Sequence, residues 1–376
     1  MLSLEMNKIE LSNLFEKKNI FSSIIYSIFQ IILKLIRLYF KRNSAKTGNI
    51  TIIALHKLGD SVYTIPTIQE IEKIFNQNLN IFCYSETLPI FQLKLQNPKY
   101  HILKKSDFKF GNRIAPDYAR KKLREIQSEI VIDLTGVMNS ASLIFNSNAK
   151  KIVGINRRIF KSLYDEFYAA TYTSHISDMY YNVLKSWKIT HNLIDEKPFQ
   201  KKTNKIDKIL IHPFAGWKSK EWKLINFIKL AVEIKERSFI PQFILPKEHL
   251  SYDVLSELDN LEIDYIISES VDSLIETIRN STLLVGNDSG PIHIANLLEI
   301  PTFTIYGPTN PKVHLPLNGI NGFCNLSIRC SPKNLEKWCF TDGGINGCPS
   351  YECMEGLSVN FVVKELFNFI HKIKSN

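Results

Sequence analysis

An alternation of residue patterns constrains this chain more than any other feature. From residue 49 onward, short apolar runs rich in β-branched and aromatic residues alternate with stretches of helical spacing. NITIIAL (49–55), NIFCYS (80–85), EIVIDLTG (129–136) and KKIVGI (150–155) are the first such runs, and residues 67–75 and 117–128 are helical in spacing. A strand apolar on both faces needs cover on both faces, which a parallel sheet flanked by helices provides. Residues 156–205 lose this rhythm, and the charged stretch 197–208 reads as a junction. The alternation then restarts with KILIHPF (208–214), FIPQFIL (239–245), LEIDYII (261–267), TLLVG (282–286) and TFTIYG (302–307). Helical stretches at 222–237, at 272–280 and from Gly290 separate them, and a last helix is expected over 359–374. The expected fold class is α/β: two doubly wound units at 49–200 and 201–376, behind an extension at 1–48.

Composition agrees and narrows the partners. With 44% hydrophobic and 22% charged residues the chain is an ordinary globular one, and 15 Gly and 15 Pro exclude collagen-like or Pro-rich readings. Lys and Arg number 47 against 37 Asp and Glu, a net charge of +10 that favours anionic partners. The basic residues are dispersed and no aromatic-interleaved recognition motif accompanies them, so nucleic acid is not among the expected partners. Six cysteines in 376 residues do not make a disulfide scaffold. Cys83 reads as a core thiol. Cys330, Cys339, Cys348 and Cys353 crowd the C-terminal part at intervals that differ from paired CxxC spacing, and could be plain thiols or a structural zinc site.

Glu5, Glu10 and Glu16 argue against a standard signal peptide at the start. The uncharged stretch 19–33 holds 15 residues, short of the ~20 that span a bilayer. Phe21, Ile24, Ile25, Ile28, Ile32, Leu35, Ile36 and Tyr39 recur at helical spacing, with Ser23, Ser27, Gln30, Lys34, Arg37 and Lys41 between them. Such an amphipathic helix lies in a membrane interface, its basic side beside anionic headgroups, or packs on the protein's own core. Residues 43–48 (NSAKTG) read as a linker.

Three motifs leave the ends of predicted strands, where parallel sheets bind ligands. HKLGDSVYTIP (56–66) places Asp60 at the mouth of a helix, as an N-cap or as a general base. HPFAGWKSKEW (212–222) gathers Lys218 and Lys220, with Lys223 just beyond, near a helix start that suits a phosphate or a solvated face. VGNDSGPIHIA (285–295) offers Asp288 and Ser289 as caps, Gly290 for close approach, Pro291 in the first turn and His293 one turn in. Neither GxGxxG nor GxxxxGK[ST] occurs, against a dehydrogenase or a P-loop NTPase.

Together these motifs, with EIVIDLTGVMNSA, IVGINR and NLLEIPTFTIYGPTNP in order between and after them, resemble glycosyltransferase family 9, the heptosyltransferases of lipopolysaccharide inner-core synthesis. The resemblance covers roughly residues 49–369. It implies a GT-B fold, two Rossmann-like domains facing a cleft with acceptor on the N-terminal side and nucleotide-sugar on the C-terminal side. It implies Asp60 as catalytic base, Lys220 on the donor phosphate, Asp288, Ser289, Gly290 and His293 on the donor's phosphate and sugar, and Glu248 on the ribose. It further implies inversion, no required cofactor or divalent ion, ADP-heptose as donor, and lipid A–Kdo or core heptose as acceptor. The enzyme is then expected in the cytoplasm, peripheral on the cytoplasmic face of the inner membrane. Departures are His56 where Arg is common, no Ser/Thr pair after His212, and the 48-residue leader; they bear on sugar and acceptor more than on reaction type. Another nucleotide-sugar, a protein acceptor, or a non-catalytic nucleotide-sugar-binding protein are the alternatives.

Overall fold

The computed structural model describes residues 20–42, 47–75, 79–96, 98–171, 173–190, 206–317, 319–339, 348 and 350–375. Helix α1 (Ile20–Lys41) precedes a first sheet of β1 (Ile50–Ala54), β2 (Leu79–Tyr84), β3 (Lys99–Leu103), β4 (Ile130–Asp133), β5 (Lys151–Asn156) and β6 (Glu166–Ala169). A second sheet holds β7 (Lys208–His212), β8 (Ile240–Pro246), β9 (Asp264–Ser268), β10 (Leu283–Asn287), β11 (Thr302–Tyr306) and β12 (Asn321–Asn325). Every neighbouring pair is parallel.

The strand orders are β3-β2-β1-β4-β5-β6 and β12-β11-β10-β7-β8-β9. Counted within its own unit, the second order is the first one reversed, so both sheets change direction between their first and fourth strands. The expected α/β architecture is therefore present. Ile52, Ile53, Ile81, Phe82, Val131 and Ile132 are fully buried, as strands covered on both faces must be.

Three strands escaped the sequence pattern: β3, β6 and β12. Each is at the edge of a sheet; β3 and β12 mix exposed or half-buried positions with buried ones, and β6 is half-buried throughout. Continuous apolar character is a signal of central strands only. Helix α2 (Leu58–Phe75) begins nine residues before the predicted stretch at 67 and carries Pro66 inside it. Asp60 thus belongs to its first turn. In the second unit, α3 (Leu224–Glu236), α4 (Gly290–Leu297) and α5 (Val359–Ser375) match the predicted helices closely. Most of the predicted junction and linker, and the acidic residues at 5, 10 and 16, lie outside the described residues.

Helix α1 forms where its spacing predicts, but its buried side mixes polar and apolar residues. Phe29 packs half-buried on the first unit's core, while Ser23, Ser27 and Lys34 face solvent. Arg37 is 2% exposed, and its Nη2 donates to Asp165 Oδ2 at 2.5 Å and to the Ala149 carbonyl at 2.7 Å. Lys41 Nζ donates to Asp165 Oδ1 at 2.7 Å, and Gln30 Nε2 donates to the Ile159 carbonyl at 2.7 Å. Leu33 is buried between these groups, while the isoleucines of the opposite side face solvent. The expectation that Arg37 and Lys41 lie free for lipid headgroups is corrected: both are committed to Asp165, a half-buried carboxylate that cationic partners stabilise.

Burial pushes the Asp165 carboxyl up, but the Lys41 and Arg37 hydrogen bonds outweigh it and hold it below its ordinary value. A depressed folded pKa stabilises above the unfolded value, about 3.9 for Asp, and that contribution disappears as pH falls through the folded value. Arg37→Ala should cost about 2 kcal/mol, since it removes charge-assisted hydrogen bonds while Asp165 keeps Lys41 as its remaining cation. Urea unfolding at pH 7 checks this, and the gap between variant and wild type should close as the pH is lowered below about 4.

Candidate active site

In each unit the strand order reverses beside one loop pair: after β1 and β4 in the first, after β7 and β10 in the second. All three sequence motifs leave from these switch points, the places where open parallel sheets bind ligands. The tertiary structure then brings the two units' loops against each other.

The contact is closest between the starts of α2 and α4. A Cβ on Gly59 would lie 3.2 Å from His293 Cδ2 and 3.7 Å from Gly290 Cα, and one on Gly290 would lie 3.0 Å from Leu58 Cβ. Side-chain carbons rarely sit that close, so glycine at both positions lets the two helix starts abut. A further glycine, Gly286, is required within β10, where a Cβ would meet the His212 carbonyl at 2.6 Å.

Behind this contact is a buried polar network. Asp288, 3% exposed, accepts hydrogen bonds at Oδ2 from Lys220 Nζ (2.6 Å) and from Thr309 Oγ1 (2.7 Å). His293 Nε2 is 3.7 Å from Asp288 Oδ1 and 3.0 Å from the Tyr63 hydroxyl, which also donates to the His314 carbonyl. Burial alone would raise the Asp288 carboxyl, but Lys220 and His293 hold it well below the ordinary carboxylate range. Asp288 is therefore an anion, and its carboxylate grips Lys220. Ser289 precedes α4 without capping it, since Ser289 Oγ is buried with no partner among the described residues.

A second layer is cationic and aromatic. Trp217 and Trp338 meet edge to face with centroids 6.4 Å apart. Lys220 Nζ is 4.8 Å and Lys57 Nζ 5.7 Å from the Trp217 ring, and Lys337 Nζ is 5.8 Å from the Trp338 ring. Ammonium groups over indole faces are held in place while remaining charged. Asp60 is exposed at the same crevice. Burial lowers the Lys337 ammonium's pKa and the Asp60 carboxylate opposes that shift, so these groups from opposite units sense each other. Burial pushes His175 down to about 3 and His212 and His314 down to about 4, and it lowers His56 as well. These four are neutral at pH 7, which leaves the lysines to carry the positive charge.

The structure thus joins Asp60, Lys220, Asp288, Gly290 and His293. Lys218 and Lys223 stay exposed, with Lys223 paired to Glu355 at 2.5 Å. Glu248 is exposed on the turn after β8, outside the network, beside His249, which stacks on Phe214 at 4.4 Å. Sequence reading missed Lys57, Trp217, Lys337 and Trp338. Lys57 and Trp217 lay inside quoted motifs. Lys337 and Trp338 had no signal of their own, because the Cys-rich segment reaches the crevice only through tertiary contacts: Cys339 N donates to the Pro308 carbonyl and Asn310 N to the Lys337 carbonyl.

Cys330, Cys339, Cys348 and Cys353 do converge, lining one cavity of about 540 Å³. None of the four forms a disulfide among the described residues, and burial, with the neighbouring thiols, pushes Cys353 up to about 12. Among the described residues no three His, Cys, Asp or Glu side chains are grouped to hold a metal ion. Cys83 is the expected core thiol, fully buried and raised by burial to about 12.

Two parallel doubly wound units with paired switch points across a cationic crevice make up the GT-B class of transferase. The sequence model of glycosyltransferase family 9 (heptosyltransferase) matches residues 118–341, more than half of the chain, and the chain belongs to that family. It is 24% identical over 328 residues to lipooligosaccharide heptosyltransferase 2 of Campylobacter jejuni subsp. jejuni serotype O:6, covering 82% of this chain and 95% of that protein. The structure of a family 9 glycosyl transferase from Veillonella parvula superposes with TM-score 0.67 at 19% identity, covering 86% of this chain and 97% of that one. E. coli ADP-heptose lps heptosyltransferase II superposes with TM-score 0.63 at 13% identity, covering 87% and 99%. At such identities the superpositions bear on the fold.

Lys220→Ala should lower stability by about 3 kcal/mol, because it leaves the Asp288 carboxylate buried without its cation. The double variant Lys220→Met/Asp288→Asn should recover most of that loss and none of the nucleotide affinity. Thermal unfolding combined with ADP titration calorimetry separates the two roles. The Asp288 contribution is present above the unfolded carboxyl value and is lost as pH falls through the depressed folded one, so the single variant's deficit should be full at pH 7.

Proposed function

We propose that the protein is an inverting heptosyltransferase that moves heptose from ADP-heptose to the inner core of lipopolysaccharide or lipooligosaccharide. The observation that carries this reading is one exposed carboxylate, Asp60, at a crevice where the opposite unit sets Lys337 near enough to sense it and holds Lys220 fixed on Asp288. The Campylobacter relative is named for lipooligosaccharide heptosyl transfer and the E. coli one for ADP-heptose. Both names support the choice of donor and acceptor.

In this mechanism an acceptor hydroxyl on the N-terminal side attacks the anomeric carbon, and Asp60 takes its proton. The bond from that carbon to the diphosphate oxygen breaks on the far face, so one displacement inverts the centre. Charge grows on the departing ADP. Lys220, oriented by Asp288, and the N–H groups at the start of α4 face that charge. Lys57 and Lys337 add to it. With the leaving group's charge met by ammonium groups, the reaction proceeds without a required divalent ion. The backbone of Ser289 and Gly290 lines the approach of the donor phosphate, and Glu248 contacts the ribose. Asp288 and His293 act as positioning residues. Because the acceptor is a lipid, the enzyme works as a peripheral protein on the cytoplasmic face of the inner membrane.

Asp60→Asn should reduce transfer by about 10² to 10⁴ and leave ADP affinity within twofold of wild type. Product formation from ADP-heptose and calorimetry with ADP measure the two. Near-normal turnover in the variant would return Asp60 to a helix-cap role. NMR of the product's anomeric proton reports inversion, and undiminished turnover in excess chelator is expected.

A further inference from the structure

We propose that the outward face of α1 inserts into an anionic bilayer, with the helix lying in the membrane plane. The inference deepens the lipid-acceptor reading given above and is tested separately from it. Six residues of this face, Ile24, Ile28, Ile31, Ile32, Leu35 and Leu38, are 47% to 61% exposed. Continuous exposed apolar surface on this scale marks an interaction site. The helix contains no acidic residue.

Charge chooses the occupant. Lys34 and Arg42 are exposed along and beyond the stripe, and Arg157, Arg158 and Lys161 are exposed on the segment packed beside α1. Lys161 Nζ is 5.8 Å from the Tyr26 ring, which fixes that segment against the helix. An apolar stripe with a basic rim complements anionic headgroups around acyl chains. A second copy of the chain would set two basic rims against each other.

Anchoring chooses the orientation. Residues 23–41 are long and apolar enough to cross a bilayer by length and composition. The other side of the helix, however, is fastened to the N-terminal unit by Arg37 to Asp165, Gln30 to Ile159 and Tyr26 to Arg158. A spanning helix would carry Arg37 into hydrocarbon and strand Asp165, so the helix lies flat with Gln30 and Arg37 on the protein. Its first turns reach the loop that leaves β5. In a parallel sheet that is the same edge from which the Asp60 loop leaves, so the crevice opens near the membrane plane.

The test is flotation of the full chain with phosphatidylethanolamine/phosphatidylglycerol vesicles. Wild type should float, and alkaline carbonate should release it. Ile31→Glu/Leu35→Glu should bind at least tenfold more weakly, with thermal unfolding and ADP affinity unchanged, while Tyr252→Glu, at an exposed site in the second unit, should float like wild type. Should the glutamate variant misfold, Ile31→Trp supplies the readout. Brominated acyl chains should quench its added emission beyond that of the four native tryptophans. Unimpaired flotation of the glutamate variant, absence of quenching, or carbonate-resistant retention would overturn the proposal. So would a wild-type dimer that the glutamate variant converts to monomer. Failed transfer to a lipid-free acceptor saccharide, with vesicle binding intact, counts against the proposed function and leaves this proposal supported.

Discussion

The starts of α2 and α4 press together so closely that a Cβ at either facing glycine would crowd the other helix, and the geometry of the crevice follows from that contact. Gly59 and Gly290 allow the approach, and Tyr63 secures it by reaching the His293 ring and the His314 carbonyl. Each helix start carries unsatisfied N–H donors and the positive end of a helix dipole. Bringing two such ends together concentrates positive potential at one point. A larger residue at either glycine would move Asp60 relative to Lys220, and positioning errors of about 1 Å can cost a reaction on the order of 10²-fold.

The polar interior is arranged so that charge survives only where it is needed. Burial keeps His56, His175, His212 and His314 neutral at pH 7. Asp288 remains ionised because Lys220 answers it, and Lys220 is thereby fixed in one orientation beside Trp217. The lysines that remain are held over indole rings, which steady a cation without neutralising it. A fixed cation needs no reorganisation when charge develops on a leaving group.

Helix α1 shows the same use of a buried ion pair at a different place. Asp165 holds Arg37 and Lys41 on the side of the helix that meets the protein. An ordinary surface helix turns its apolar stripe to the core. Here Arg37 shares the buried side with Leu33 and Phe29, and most of the aliphatic residues are left outside.

The sequence by itself determined the class of fold, the central strands and the strand-end position of Asp60, Lys220 and Asp288, because continuous apolar runs and turn-forming residues are local signals. It did not determine the edge strands β3, β6 and β12, whose mixed patterns reflect incomplete cover by neighbours. The roles within the site were also beyond it: Asp288 reads alike as a cap, a ligand or a counter-ion until Lys220, 68 positions away, is seen to reach it. Lys337 and Trp338 became part of the crevice only when their segment folded onto the loop after β11. The outward face of α1 was decided by contacts distant in sequence, among them Arg37 with Asp165, 128 residues away, and Leu33 with the first unit's core. Helical spacing shows where polar and apolar residues lie, but which of them are buried depends on the charges and apolar groups of the surface the helix meets, and only tertiary structure supplies that.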